Sequence, residues 1–236
     1  GKYTWTIGLY GTSAMAKEAG LSEKEYWSQI IKACFLDKRD PKEEWRRVYA
    51  TMEKIRVRLN ALPIEKLHVK GPDADLWVHV GEKRQWMCGS GRNIPSFEHF
   101  TSPDWRGTSG WIRFNQPLYR YGVLIEGVEL WFEDGRVVKA RARKNERMLK
   151  EMIATLHADK IGEYSLTDKR LSRITKFMAE TLYDENRGGP HGNTHLALGK
   201  SYHDCYTGDP GTVSADDWER MGFNDSSVHT DIISTA

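Results

Sequence analysis

Apolar residues recur at helical spacing through the first part of the chain and then change to alternation. In "LSEKEYWSQIIKAC" Ser22 and Glu25 stand at capping-box spacing, and Tyr26, Ile30, Ile31 and Cys34 follow with helical period. "DPKEEWRRVYATMEKIRVRLNAL" repeats the pattern. Asp40 suits an N-cap, Pro41 the first helical position and Glu43 the third, and Pro63 closes the run. Its apolar stripe is Trp45, Val48, Met52, Ile55 and Leu59. Both segments read as scaffold helices.

From about residue 65 the period becomes two. "KLHVKG" and "DLWVHVG" read as strands, with the glycine-rich "MCGSGRN" after them. In "YGVLIEGVELWFEDGRVVKARAR" the pair Asp134-Gly135 sits between alternating runs, which predicts a type I′ hairpin. Further helices are expected over roughly 144–158 and over "TDKRLSRITKFMAETLY", the latter with Leu171, Ile174, Phe177, Met178 and Leu182 inward. "RGGPHGN" reads as a loop, "THLALG" as a short strand, "SADDWERMG" as a short capped helix and "VHTDIIS" as a last strand. The pattern predicts an α+β fold, mostly antiparallel hairpins flanked by helices.

Composition narrows the function classes. In 236 residues, 35 basic side chains meet 33 acidic ones, a balance that gives no reason to expect a nucleic-acid partner. No run of about 18 apolar residues is present, so no membrane span is expected. Cys34, Cys88 and Cys205 are far apart and form no CxxC pair, which reads as reduced intracellular thiols. The amino terminus lacks a signal-peptide pattern and opens on strand-like residues, as a fragment or processed chain would.

Candidate chemistry lies in five places, each with a plainer reading beside it. On a strand, His229 and Asp231 project from the same face, which suits a metal or an ordinary polar strand face. They lie in a histidine-rich region with His191, His195 and His203. His195 shares a strand face with Ala197 and Gly199, so space opens before its ring; a hydrogen-bonded core histidine is the alternative. His203 and Asp204 read as a loop or surface pair. Glu98 lies among turn residues and aromatics in "GRNIPSFEHFTSPDWRGTSG", and Glu163 follows a glycine where a strand begins. A solvated turn acid and a strand-edge acid are the plainer readings of those two. Together these groups offer the mixed oxygen and nitrogen donors that zinc, cobalt or manganese takes. P-loop, GxSxG and HExxH patterns are absent.

Four stretches carry a resemblance: "NIPSFEHFTSPDWRGTSGWIRFNQPLYRYG", "ADKIGEYSLTDKRLSRITKFMAETLYDENRGG", "GNTHLALGKSYHD" and "DWERMGFNDSSVHTDIIST". The sequence resembles the thermophilic-type metalloaminopeptidases, the group containing aminopeptidases T, S and II, over essentially the whole chain. The resemblance implies metal ligands at Glu98, Glu163, His195, Tyr202, His229 and Asp231, with Glu98 and Tyr202 also catalytic. It implies two divalent ions, zinc or cobalt with manganese and magnesium as further options, and a peptide substrate with a free N-terminus. A homodimer in the cytoplasm is implied as well. His99 and Cys88 depart from the aliphatic or small residues expected at their positions. Family members also carry an additional amino-terminal domain and strands beyond "HTDIIST". The expected organisation is a helical lead-in over 1–64 and a metal-binding catalytic domain over 65–236, the carboxyl-terminal part of a two-domain peptidase. Two other functions fit the same ligand set: a catalytically silent domain for dimerisation or binding, and a dinuclear hydrolase of a non-peptide bond.

Overall fold

The computed structural model describes residues 4–235. Its strands in chain order are β1 (Ile7–Gly8), β2 (Lys66–Gly71), β3 (Ala74–His79), β4 (Met87–Cys88), β5 (Asn93–Ile94), β6 (Glu98–Thr101) and β7 (Ser109–Arg113). Then come β8 (Leu118–Arg120), β9 (Val123–Ile125), β10 (Glu129–Glu133), β11 (Arg136–Arg141), β12 (Ile161–Thr167), β13 (Asn193–Gly199) and β14 (His229–Ser234). The α-helices are α1 (Ser13–Glu18), α2 (Glu23–Ala33), α3 (Pro41–Asn60), α4 (Glu146–Ile153), α5 (Thr181–Asp184) and α6 (Ala215–Arg220).

Two five-stranded sheets dominate, ordered β11-β10-β7-β3-β2 and β14-β13-β12-β6-β4. Every pairing within them is antiparallel; the two-residue pair β1–β5 is parallel. The fold is therefore α+β and mainly antiparallel, as the change of period implies.

Alternation along the strands decides which side chains enter the core. Ala74, Leu76 and Val78 of β3, Ile112 of β7 and Leu130 and Phe132 of β10 turn inward from the first sheet. Ile161 and Tyr164 of β12, Leu196 and Leu198 of β13 and Ile232 of β14 meet them from the second. One shared apolar core thus joins the inner faces of both sheets. At the β10–β11 turn, Asp134 (φ 48°) and Gly135 (φ 77°) both take left-handed backbone, the type I′ geometry that Asp-Gly favours.

The first helices form as their caps dictate. Ser22 and Glu25 close both halves of the capping box of α2, and the Asp40 carboxylate accepts from the Glu43 N–H ahead of α3. Val48 and Met52 are buried, and Met52 packs with Phe35 and Phe97. The His99 ring on β6 hydrogen-bonds the Met52 carbonyl at 2.9 Å, which ties α3 to the second sheet. His99 is therefore a structural histidine. Among the described residues, no helix is long and apolar enough to cross a membrane.

Two expected helices need correction. The one predicted over 144–158 is shorter, Glu146–Ile153, bounded by left-handed backbone at Asn145 (φ 60°) and His157 (φ 59°). The one predicted over "TDKRLSRITKFMAETLY" is absent apart from α5. After β12 ends, the Asp168 carboxylate accepts from the Arg170 N–H and turns the chain, and Ala179 takes a left-handed φ of 52°. Asp184 then accepts from the N–H groups of Met178 (2.7 Å) and Glu180 (3.0 Å). Ile174 and Met178 are buried, but against Tyr26, Ile30 and Ala33 of α2. Their spacing of three to four residues comes from a loop following the α2 surface, and tertiary contact overrides the local period.

Candidate metal centre

The second sheet has its core face and a polar opposite face. On β13, Leu196 and Leu198 face the core, so His195, Ala197 and Gly199 face the other way. Cross-strand register then fixes the neighbours. Ala197 stands opposite Glu163 on β12 and Asp231 on β14; Gly199 stands opposite His229. His195 pairs with Ser165, and Glu98 on β6 pairs with Thr167. Directly opposed side chains lie roughly 5 Å apart at their Cβ atoms. Two carboxylates flanking an alanine, with a histidine on each side, thus converge above small residues.

Glu163 reaches that face because β12 is irregular. Ile161 pairs with Leu198 on the core side, yet Glu163 pairs with Ala197 on the other side, through a register shift between them. A regular strand would put residues 161 and 163 on one face. Gly162 is the extra residue, and a Cβ there would collide with the carbonyl oxygens of Gly199 and Lys200.

The resulting distances are short. His195 Nε2 lies 3.1 Å from Glu163 Oε1, 3.5 Å from Glu98 Oε2 and 3.8 Å from Asp231 Oδ1. His229 Nε2 lies 3.3 Å from Asp231 Oδ1 and 3.8 Å from Glu163 Oε2. Two triads of donor atoms result, each within 4.8 Å: Glu98, Glu163 and His195, and Glu163, His229 and Asp231. Five of the six sequence-proposed ligands therefore meet. The sixth, Tyr202, lines the same cavity with its ring 4.7 Å from the His229 ring, beside the triads.

Supporting contacts orient several of these groups. His229 Nδ1 donates to the Lys200 carbonyl at 2.7 Å, which leaves Nε2 free to act as a ligand. The Ser96 and Ser165 hydroxyls each donate to Glu98 at 3.2 Å. Among the described residues His195 Nδ1 is buried without a partner, so its ring is held by packing and by the carboxylates at Nε2.

Crowded negative charge governs the electrostatics. Burial first, and then the Glu163 charge, push the Glu98 acid up to about 7. Burial opposes charge on His229, but Asp231 and then Glu163 overcome it and raise the ring to about 9. His195 is raised as well, because its Glu163 hydrogen bond and the charges of Asp231 and Glu98 outweigh burial. Asp231 resists burial and is held low by the His229 charge. Although Tyr202 as a whole is 42% exposed, desolvation at its hydroxyl and then Glu163, Asp231, Glu185 and Glu98 push it well up. A cluster that stabilises added positive charge this strongly fits divalent cations, and its oxygen and imidazole donors fit zinc, cobalt or manganese.

The other sequence candidates join neither triad, although Asp204 lines the same cavity. His191 is exposed, and His203 stacks on Trp218 with ring centroids 3.8 Å apart. Asp204 pairs with Arg92 at 2.7 Å. Cys88 lines the cavity, which measures about 320 Å³, whereas Cys34 and Cys205 do not. Sequence reasoning missed Ser96, Ser165 and, above all, Glu185, a buried acid in the cavity wall. The expected long helix concealed Glu185 by making "TLYDEN" a helix end.

Over residues 1–236 the chain matches the family described as thermophilic metalloprotease (M29). The chain belongs to that family. Within this metalloprotease family, aminopeptidase T of Thermus thermophilus is 32% identical over 245 residues, covering 96% of this chain and 58% of the relative. Aminopeptidase PepS of Streptococcus thermophilus is 29% identical over 253 residues, covering 98% of this chain and 59% of the relative. A solved structure, wild-type AmpT from Thermus thermophilus, superposes with a TM-score of 0.81 at 30% identity, over 97% of this chain and 58% of that one. This metalloprotease chain thus spans somewhat under two thirds of the relatives it matches.

Proposed function

We propose that the chain carries the catalytic centre of an aminopeptidase that removes N-terminal residues from peptides using two divalent cations. Glu98, Glu163, His195, His229 and Asp231 would hold the ions, with Tyr202 alongside. The observation that supports this best is the shared acid. Glu163 belongs to both donor triads, with Oε1 toward His195 and Oε2 toward His229. A carboxylate so placed suits a bridge between two ions. When bound, such ions supply Lewis acidity and a water nucleophile at neutral pH.

The chain's own groups set the rest. Two serine hydroxyls hold Glu98 in place, as a ligand or a proton acceptor requires. Tyr202 stays protonated near neutrality because burial of its hydroxyl, and then the carboxylates around it, oppose its ionisation. Its hydroxyl is therefore a donor for a developing oxyanion. Trp5, Ile7, Met87 and Phe100 give the cavity apolar walls that suit an apolar first side chain. On the family likeness, we further propose a homodimer in the cytoplasm with a lead-in over 1–64 and a catalytic part over 65–236.

Elemental analysis of the full chain, paired with amino-acid p-nitroanilide hydrolysis before and after chelation, tests the proposal. Two ions per chain and metal-dependent release are expected. Asp231→Ala should lower activity by more than about 100-fold, beyond what loss of a supporting residue costs. Undiminished turnover by that variant would remove the ligand assignment. Because the chain covers 58% of aminopeptidase T, a second outcome is foreseen: two ions bound with no turnover, which marks a silent binding domain. Hydrolysis of an acetylated dipeptide as fast as the free one would point to a broader hydrolase.

A further inference from the structure

One carboxylate in the cavity wall belongs to neither donor triad. Glu185, just after α5, is 8% exposed. Its backbone is pinned, since its carbonyl accepts from Asn193 Nδ2 at 2.8 Å and Thr167 Oγ1 at 3.2 Å. Glu185 Oε1 accepts from Asn186 Nδ2 at 3.3 Å, and among the described residues Oε2 receives no hydrogen bond. Asn186 is itself fixed: its Oδ1 accepts from the Phe97 N–H at 2.5 Å and its Nδ2 donates to the Leu182 carbonyl at 3.1 Å. No lysine, arginine or histidine among the described residues forms an ion pair with Glu185. Burial first, and then the charges of Glu98, Asp231, Glu163 and Asp184, oppose its ionisation.

Such a group carries charge only when a positive partner reaches it from outside the chain. A metal is the poorer candidate, because Glu185 joins no set of three donors within 4.8 Å. We propose that Glu185 receives the α-ammonium group of the substrate's N-terminal residue. The inference rests on the aminopeptidase reading and deepens it: Glu185 would measure where a peptide begins. A carboxylate fixed beside the ligands, in a cavity of about 320 Å³, accepts charge-assisted hydrogen bonds from an ammonium group. An internal peptide nitrogen has no charge to offer.

The test compares the metal-loaded full chain with Glu185→Gln and Glu185→Asp on two substrates, leucine p-nitroanilide and its α-hydroxy counterpart. For Glu185→Gln, kcat/KM on the amine substrate should fall by about 100-fold, the scale for truncating a buried charged pair. The loss should lie mainly in KM. Turnover of the hydroxy substrate and the metal content should stay unchanged. Glu185→Asp keeps the charge and should lose less, again on the amine substrate alone. Equal losses on both substrates, an unchanged preference, or a drop in bound metal would each overturn the assignment. If the wild-type chain hydrolyses neither substrate, the aminopeptidase reading fails and takes this inference with it. Wild-type turnover with an unaltered Glu185→Gln refutes the inference alone.

Discussion

The two five-stranded sheets feed one core and differ in what stands on their other faces. On the first sheet that face is solvated: Trp111 and Trp131 stack at 6.5 Å, Arg113 pairs with Glu129 at 2.7 Å, and Trp77 is 43% exposed. On the second sheet the corresponding face carries Glu98, Glu163, His195 and Asp231, all buried. Alternation of apolar and polar residues is alike in both. Water screens the charges of one sheet, and on the other, among the described residues, the carboxylates pair only with His195 and His229, an arrangement that would suit a bound cation. Polar residues on a strand therefore become informative only once it is known whether that face is covered.

The largest effect should come from what the sheets share. Leu130 on the first sheet and Leu196 on the second are both fully buried. Truncating either to alanine is expected to destabilise by about 2–5 kcal/mol. Denaturant unfolding should show the midpoint move for both variants with the slope unchanged. A small effect at one of them would mean that the two sheets do not share a single core.

The next effect concerns pH at a buried acid of α5, outside both sheets. Burial pushes Asp184 up to about 7 from 3.8, against the lowering effect of its two backbone hydrogen bonds. A carboxyl group with a raised folded pKa binds its proton more tightly in the folded chain. Its contribution is therefore most favourable below pH 3.8 and declines as pH rises toward 7, beyond which it is constant. Asp184→Asn should flatten stability between those limits relative to the wild type, as chemical unfolding at several pH values would show. A parallel pair of curves would refute the buried-acid account.

The smallest effect belongs to the solvated face. Neutralising Glu129 as Glu129→Gln should change stability by less than about 1 kcal/mol, and salt should erase the difference. A larger loss would break the contrast between the two faces.

Much of this architecture was legible before any coordinates. Capping residues placed α2 and α3, and Asp134-Gly135 placed the β10–β11 turn, because those signals act within a few residues. The five convergent side chains were legible through motif resemblance and through the small residues beside His195. Glu185 was not. Its position depends on the segment 168–180 packing against α2, a contact between residues more than 140 positions apart, as the Gln29–Thr175 hydrogen bond shows. The pairing of Glu163 with Ala197 was equally hidden, since nothing in "DKIGEYSL" announces a break in alternation.

That break has an implication for how sequence change could alter the protein. Were the strand to straighten with Gly162 taking its own place in the ladder, the acid after it would swing from the ligand side into the oil of the interior. Giving residue 162 a side chain would instead push the neighbouring backbone apart. The most chemically inert residue of the strand thus sets the phase on which the most chemically committed one depends.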